Sequence, residues 1–194
     1  MEALRTWPLR PKVHRAQRHC PPMFMGDGPA SNPTVAREAW KFAMPEPVIR
    51  PARSDEYDEV ARVWMNSWVS TGLEDASDSL LARLRARVAM GVEKGSSLYV
   101  ADDNGKLAAM LTIHLPDSYL DQLFVAPEYQ GNGLGRQLLA FTRHHMPDEI
   151  WLRCVRENEK AWRWYEREGF VFEKEELEPK IGFMMKYYRW KKSD

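Results

Sequence analysis

Leu123-Phe-Val-Ala-Pro-Glu-Tyr-Gln-Gly-Asn-Gly-Leu-Gly-Arg136 runs from an apolar stretch through a proline into three alternating glycines and then into helix-forming sequence. The apolar part predicts a buried strand. Gly131-Asn132-Gly133-Leu134-Gly135 predicts a turn that opens a helix. Glycines there leave backbone N–H groups uncovered and let the chain approach a ligand closely. At a helix N-terminus those groups converge on an anion, and the helix dipole adds its share. A phosphate or pyrophosphate suits such a turn. A Walker A loop fits badly, because Gly135-Arg136-Gln137 stands where Gly-Lys-Ser/Thr is required. A dinucleotide fingerprint fits no better: the spacing is G-x-G-x-G, and it falls late in the chain. On these residues alone, a strand-to-helix turn without a ligand stays open as the alternative.

Outward from this stretch the hydrophobic period changes repeatedly. Val48-Ile49-Arg50 predicts a short first strand, and Ser54 is expected to cap a helix whose first turn holds Asp55 and Glu56. Val60, Trp64 and Trp68 give that helix one apolar face. Leu80, Leu81, Leu84 and Val88 are the stripe of a second helix, after the polar loop 72–78. Asp102-Asp103-Asn104-Gly105 is a hairpin turn between strands at 97–101 and 106–113, with a third strand over 119–125. A helix over 133–145 follows, with Leu134, Leu138, Phe141 and Thr142 on one face, then a strand over 150–155. Asn158 caps the last helix and Gly169 ends it. Final strands are expected over 170–174 and 181–190, joined by a charged loop over 175–180. The order β-αα-βββ-αβ-αββ predicts an α/β or α+β fold with a partly parallel sheet.

The chain has 194 residues, 44% of them hydrophobic, which suits one domain with a packed core and a modest tail. With 28 basic and 28 acidic residues, a globally basic nucleic-acid binder is disfavoured. No apolar run approaches a membrane span of roughly 18 residues. Cys20 and Cys154 make no disulfide framework, and no zinc-type spacing exists, so no metal is signalled. Residues 1–43 hold seven of the basic residues, three of the acidic ones and six of the 13 prolines. They read as a disordered or dispensable leader, and residues 44–194 as the functional domain, in a cytoplasmic protein.

Two motifs then point to a family. Gln130-x-x-Gly133-x-Gly135 matches the (Q/R)-x-x-G-x-(G/A) motif of the GNAT acetyltransferase superfamily, and Leu123-Phe124-Val125-x-Pro127 resembles that family's fourth strand and its exit. Downstream, Asn158, Ala161, Tyr165, Gly169 and Phe170 resemble its N-x-x-A-x-x-x-Y-x-x-x-G-F helix and following strand. The element order agrees, so the resemblance covers about residues 46–190. It implies a twisted mixed sheet of six to seven strands flanked by four helices, with the fourth and fifth strands splayed.

By the same resemblance, the chain uses acetyl-CoA as acyl donor, without a metal. It passes the acetyl group directly to a primary amine of a small molecule or peptide. An N-terminal or lysine protein acetyltransferase, or a non-catalytic acyl-CoA-binding module, is the alternative. The N–H groups of Gly131, Asn132, Gly133, Leu134, Gly135 and Arg136 would hold the pyrophosphate, with Gln130 in the motif. Main chain at Leu123, Phe124 and Val125 would pair with the pantetheine, and the Val125 N–H would polarise the thioester carbonyl. Asn158 would sit near the pantetheine or serve only as a helix cap. Tyr165 would protonate the departing thiolate; packing on the helix's apolar face is the plainer role. For the base that deprotonates the amine, Asp121 and His114 are the candidates. Ribosomal-protein acetyltransferases often carry a Glu on the fifth strand where Arg153 stands here, which weakens that reading. Trp64 and Trp68 line an acceptor pocket or, more commonly at helical spacing, belong to the core. A homodimer is left open, and neither nucleic acid nor membrane is expected as a partner.

Overall fold

The computed structural model describes residues 46–179 and 181–192; the leader read over residues 1–43 lies outside them. The elements follow the expected order. Strand β1 is Val48–Pro51, helix α1 Tyr57–Val69 and helix α2 Asp78–Glu93. Strands β2 Ser97–Asp103, β3 Lys106–His114 and β4 Tyr119–Val125 come next. Helix α3 Leu134–His145, strand β5 Glu149–Val155, helix α4 Glu159–Arg167, and strands β6 Val171–Glu178 and β7 Phe183–Lys191 complete the fold. Asn104 (φ 54°) and Gly105 (φ 91°) are both left-handed, as a tight two-residue hairpin turn requires.

The seven strands form one sheet in the order β1-β2-β3-β4-β5-β7-β6. Every neighbouring pair is antiparallel except β4 and β5. Side-chain alternation sends Leu98, Val100 and Met110 into a core with Val60, Trp64, Leu80 and Leu84 of α1 and α2. The opposite face sends Leu111, Ile113, Leu120, Ile150 and Leu152 against Leu134, Leu138 and Leu139 of α3. Covered on both faces, β3 is buried from Leu107 to Ile113.

The parallel pair decides where a ligand can enter. β4 and β5 are matched only at Tyr119 with Trp151 and Leu120 with Leu152; beyond that the strands part, as the resemblance implied. A bulge accompanies the parting. Thr112 pairs Gln122 while Ile113 pairs Leu120, so Asp121 is the extra residue on β4.

Two expectations need correction. Ser54 does not cap α1: residues Ser54–Glu56 form a separate 3-10 turn, and the helix begins at Tyr57. Glu56 turns back to accept a hydrogen bond from the Arg53 N–H at 2.8 Å, and it pairs with Arg50 at 2.6 Å. The turn is held by that partly buried ion pair and not by a serine cap. The charged stretch 175–178 is strand rather than loop. β6 is an edge strand whose charges find partners across β7, such as Glu175 with Lys186 at 3.1 Å and Lys174 over the Tyr187 ring. Charge along such an edge also discourages pairing with another chain.

Candidate active site

The sheet's parting opens onto a groove of about 800 Å³ between β4, the start of α3 and α4. Gly131 (φ 86°) and Gly133 (φ 87°) are left-handed, where a side chain is strained, and a Cβ on either would meet nothing within 4 Å. Strain, not crowding, therefore selects glycine at both. Among the described residues no side chain caps α3, and the N–H groups of Leu134 and Gly135 have no acceptor within the helix. The Arg136 N–H, expected with them at the pyrophosphate, instead donates to the Gly133 carbonyl at 2.9 Å. Gly135 serves packing: its Cβ position lies 3.4 Å from the Trp164 ring of α4. Leu134 buries its side chain in the core, so only its main chain is available to a ligand. Gly131, Gly133, Gly135, Arg136 and Gln130 line the groove; Asn132 is exposed outside the lining.

Gln130 has a role that its motif did not disclose. Its Nε2 donates to the Val125 carbonyl at 3.0 Å, and its Oε1 accepts from Lys160 at 2.9 Å. The side chain thus ties the end of β4 to α4 across the mouth. The Ala126 N–H donates to the Ala108 carbonyl of β3 at 2.9 Å. By alternation, the N–H groups of Leu123 and Val125 point away from β3, into the gap, and that of Phe124 points toward β3. Asn158 caps α4 through a hydrogen bond from the Ala161 N–H at 3.3 Å, and it also lines the groove, so both of its expected roles are compatible.

A second, smaller cavity of about 130 Å³ continues inward. Leu123, Phe124, Asn158, Ala161 and Tyr165 line both spaces and mark their junction. Tyr165 is 7% exposed, and its hydroxyl has no hydrogen-bond partner among the described residues. Burial pushes its phenol well above the ordinary value, so the proton is held at neutral pH. Asp121 lines the inner cavity with a carboxylate oxygen 3.0 Å from the Gln122 amide. Trp64 and Trp68 are at once core and wall: both are buried and both line the cavity.

His114 is absent from both linings; at the far end of β3 it meets Asp117 at 2.9 Å. It is thereby removed as a base beside the junction. Arg153 lines the cavity with a 2.7 Å ion pair to Glu178 and a 3.3 Å hydrogen bond to the Tyr119 hydroxyl. Burial opposes its charge, but Tyr119, Glu178 and Tyr187 overcome that and hold the pKa above the arginine range. It cannot act as a base there. Burial pushes the Cys154 thiol up to about 12, which fits a small buried hydrophobe. Among the described residues no group of three or more His, Cys, Asp or Glu is arranged to hold a metal ion. No described helix is long and apolar enough to cross a membrane.

A mixed sheet opened at its one parallel pair, with a glycine-lined helix start at the mouth, is the fold of acyl-CoA-dependent acetyltransferases of the GNAT type. The sequence profile of the Acetyltransferase (GNAT) family matches residues 57–170, and the chain belongs to that family. A probable N-acetyltransferase of Mycobacterium tuberculosis is 30% identical over 142 residues, covering 63% of this chain and 78% of that one. Solved structures share the fold at lower identity. Spermidine N-acetyltransferase from Vibrio cholerae, in complex with CoA and spermine, is 21% identical with a TM-score of 0.55, over 74% of this chain and 94% of that one. The yncA protein of Salmonella typhimurium, solved with its cofactor acetyl-CoA, is 16% identical with a TM-score of 0.55, over 76% of this chain and 95% of that one.

Proposed function

We propose that this protein is an acetyl-CoA-dependent N-acetyltransferase that moves the acetyl group directly to a primary amine of a small acceptor. The observation that carries this reading is the continuous path from the uncapped α3 N-terminus, along the free edge of β4, to a cavity at whose entrance Tyr165 lies. The groove suits a phosphorylated, extended donor: N–H groups of Leu134 and Gly135 hold an anion at the helix start, and those of Leu123 and Val125 offer strand-like pairing. Bound acetyl-CoA supplies a thioester whose carbonyl carbon the amine attacks, so that a C–N bond forms as the C–S bond breaks.

The chain's own residues do the rest. The Val125 N–H donates toward the carbonyl oxygen, where negative charge develops. Tyr165 gives its proton to the departing sulfur, and Asp121 takes the proton the amine must lose, directly or through water. Trp64, Trp68 and Phe124 exclude bulk water from the acceptor. The inner cavity of about 130 Å³, much smaller than the outer groove, favours a small acceptor over a long peptide.

The deciding experiment is a thermal melt of the full chain with and without acetyl-CoA. At about 100 times its Kd, a ligand stabilises the fold by roughly 2.7 kcal/mol, a rise of about 5–10 °C for a chain this size. CoA release on adding a primary amine then establishes transfer. A folded sample with no shift overturns the proposal.

A further inference from the structure

The proposed reaction leaves the acceptor's chemistry open, and the inner cavity's charges narrow it. Arg153 on its floor is matched by Glu178 at 2.7 Å. Arg87 on α2 is different. It is half-buried, lines the cavity and lies with its guanidinium 5.1 Å from the Trp64 ring centroid. No carboxylate pairs with it among the described residues. Trp64 in turn stacks on Phe124 at 5.4 Å, so the cation caps an aromatic stack that reaches β4. A half-buried arginine that lines a cavity and has no carboxylate paired with it among the described residues suits an anion from outside, since its fork of donors matches a carboxylate. The acid in the same lining is Asp121, on a different element. Apart from Tyr119, Gln122, Asn158 and Tyr165 the remaining wall is apolar, and a cavity of about 150 Å³ elsewhere is known to hold one benzene ring. At about 130 Å³ this cavity suits a branched aliphatic or aromatic side chain.

Resting on the acetyltransferase reading, we infer that the acceptor is a free α-amino acid with an apolar side chain. Asp121 faces its amine, Arg87 holds its carboxylate, and the Trp64–Phe124 wall takes its side chain. A polyamine is a poor match, because its second and third positive charges meet Arg87 and Arg153 instead of acids.

The test compares matched acceptors on the full chain with saturating acetyl-CoA, reading CoA release. L-leucine and L-phenylalanine are set against isoamylamine and phenethylamine, which lack the carboxylate, against leucinamide, and against spermidine. The expected result is a kcat/KM at least tenfold higher for each amino acid than for its decarboxylated partner. Arg87→Gln should bring that ratio close to one, and Arg87→Lys should restore part of it. An equilibrium readout runs beside it: with CoA present, L-leucine should raise the melting temperature more than isoamylamine does, and Arg87→Gln should abolish the difference. If Arg87→Gln does not fold, the wild-type ratio and Arg87→Lys still decide. A preference for spermidine or for the decarboxylated amines overturns the inference, as does leucinamide equal to leucine or a ratio unmoved by Arg87→Gln. If acetyl-CoA stabilises the protein but no amino acid reacts or binds, this inference alone fails. If acetyl-CoA does not bind, the acetyltransferase reading fails and takes the inference with it.

Discussion

Tyr165 sits at the junction of two spaces with a hydroxyl that bonds to no described residue, so its two possible roles separate cleanly. If the ring were there for packing, Tyr165→Phe would leave turnover intact. As the proton donor to sulfur, the same change should lower kcat tenfold or more. The melting temperature should move little, because no hydrogen bond is lost, and the acetyl-CoA shift should persist. Unchanged kcat would remove Tyr165 from the chemistry. This residue was legible in the sequence because its helix carries a local pattern, Asn158 through Gly169. Asp121 was legible only as a strand acid. Its position as the bulged residue depends on how β3 pairs with β4, which no local spacing records. Arg87 was not singled out at all. On α2 it looks like any charged helix residue, and only the cavity formed with β4 and β5 gives it a purpose.

Among the elements, the 3-10 turn before α1 departs furthest from its sequence reading. Glu56 reads as a first-turn acid helping a helix dipole, yet it is 7% exposed and bound by Arg50, which also holds Asp102 of β2 at 2.7 Å. The turn thereby joins β1 to β2 by charge as well as by strand pairing. The hydrogen bonds from Arg50 hold the Glu56 carboxyl at about 2 rather than the usual 4.5, against the opposing effect of burial. A carboxylate depressed on folding stabilises the native state above its unfolded pKa, and that stability is lost as pH falls through the folded value. Melting temperature should therefore decline between about pH 4.5 and pH 2. The contribution is on the order of 1–2 kcal/mol after discounting for solvent screening at Arg50. Glu56→Gln should be less stable at pH 7 and should flatten that part of the acid limb. An unaltered acid limb would show that other carboxylates carry it. The charged β6 was misread for a related reason: an edge strand with one neighbour needs cross-strand partners more than alternating apolar residues, and those partners lie on β7.

At the scale of the molecule, the sheet is two antiparallel blocks, β1–β4 and β5–β7, bridged by two matched residue pairs. The order of elements was readable from periodicity alone, but the splay was not, since it is the absence of pairing between strands 30 residues apart in sequence. The splay leaves the Leu123 and Val125 N–H groups facing the gap, and the Phe124 and Ala126 N–H groups tied to β3. Amide hydrogen exchange reads that difference residue by residue. Without ligand, Leu123 and Val125 should exchange much faster than Phe124 and Ala126. With saturating acetyl-CoA, the first two should slow about tenfold or more as the donor's pantetheine pairs along β4, while the second two stay as protected as before. The N–H groups of Leu134 and Gly135 should slow with them, because one extended ligand spans both. Protection at the glycine turn without protection on β4 would mean that an anion binds there but the strands do not receive the donor between them. In that case the groove holds a phosphate and the direct transfer proposed at Tyr165 has no bound thioester to act on.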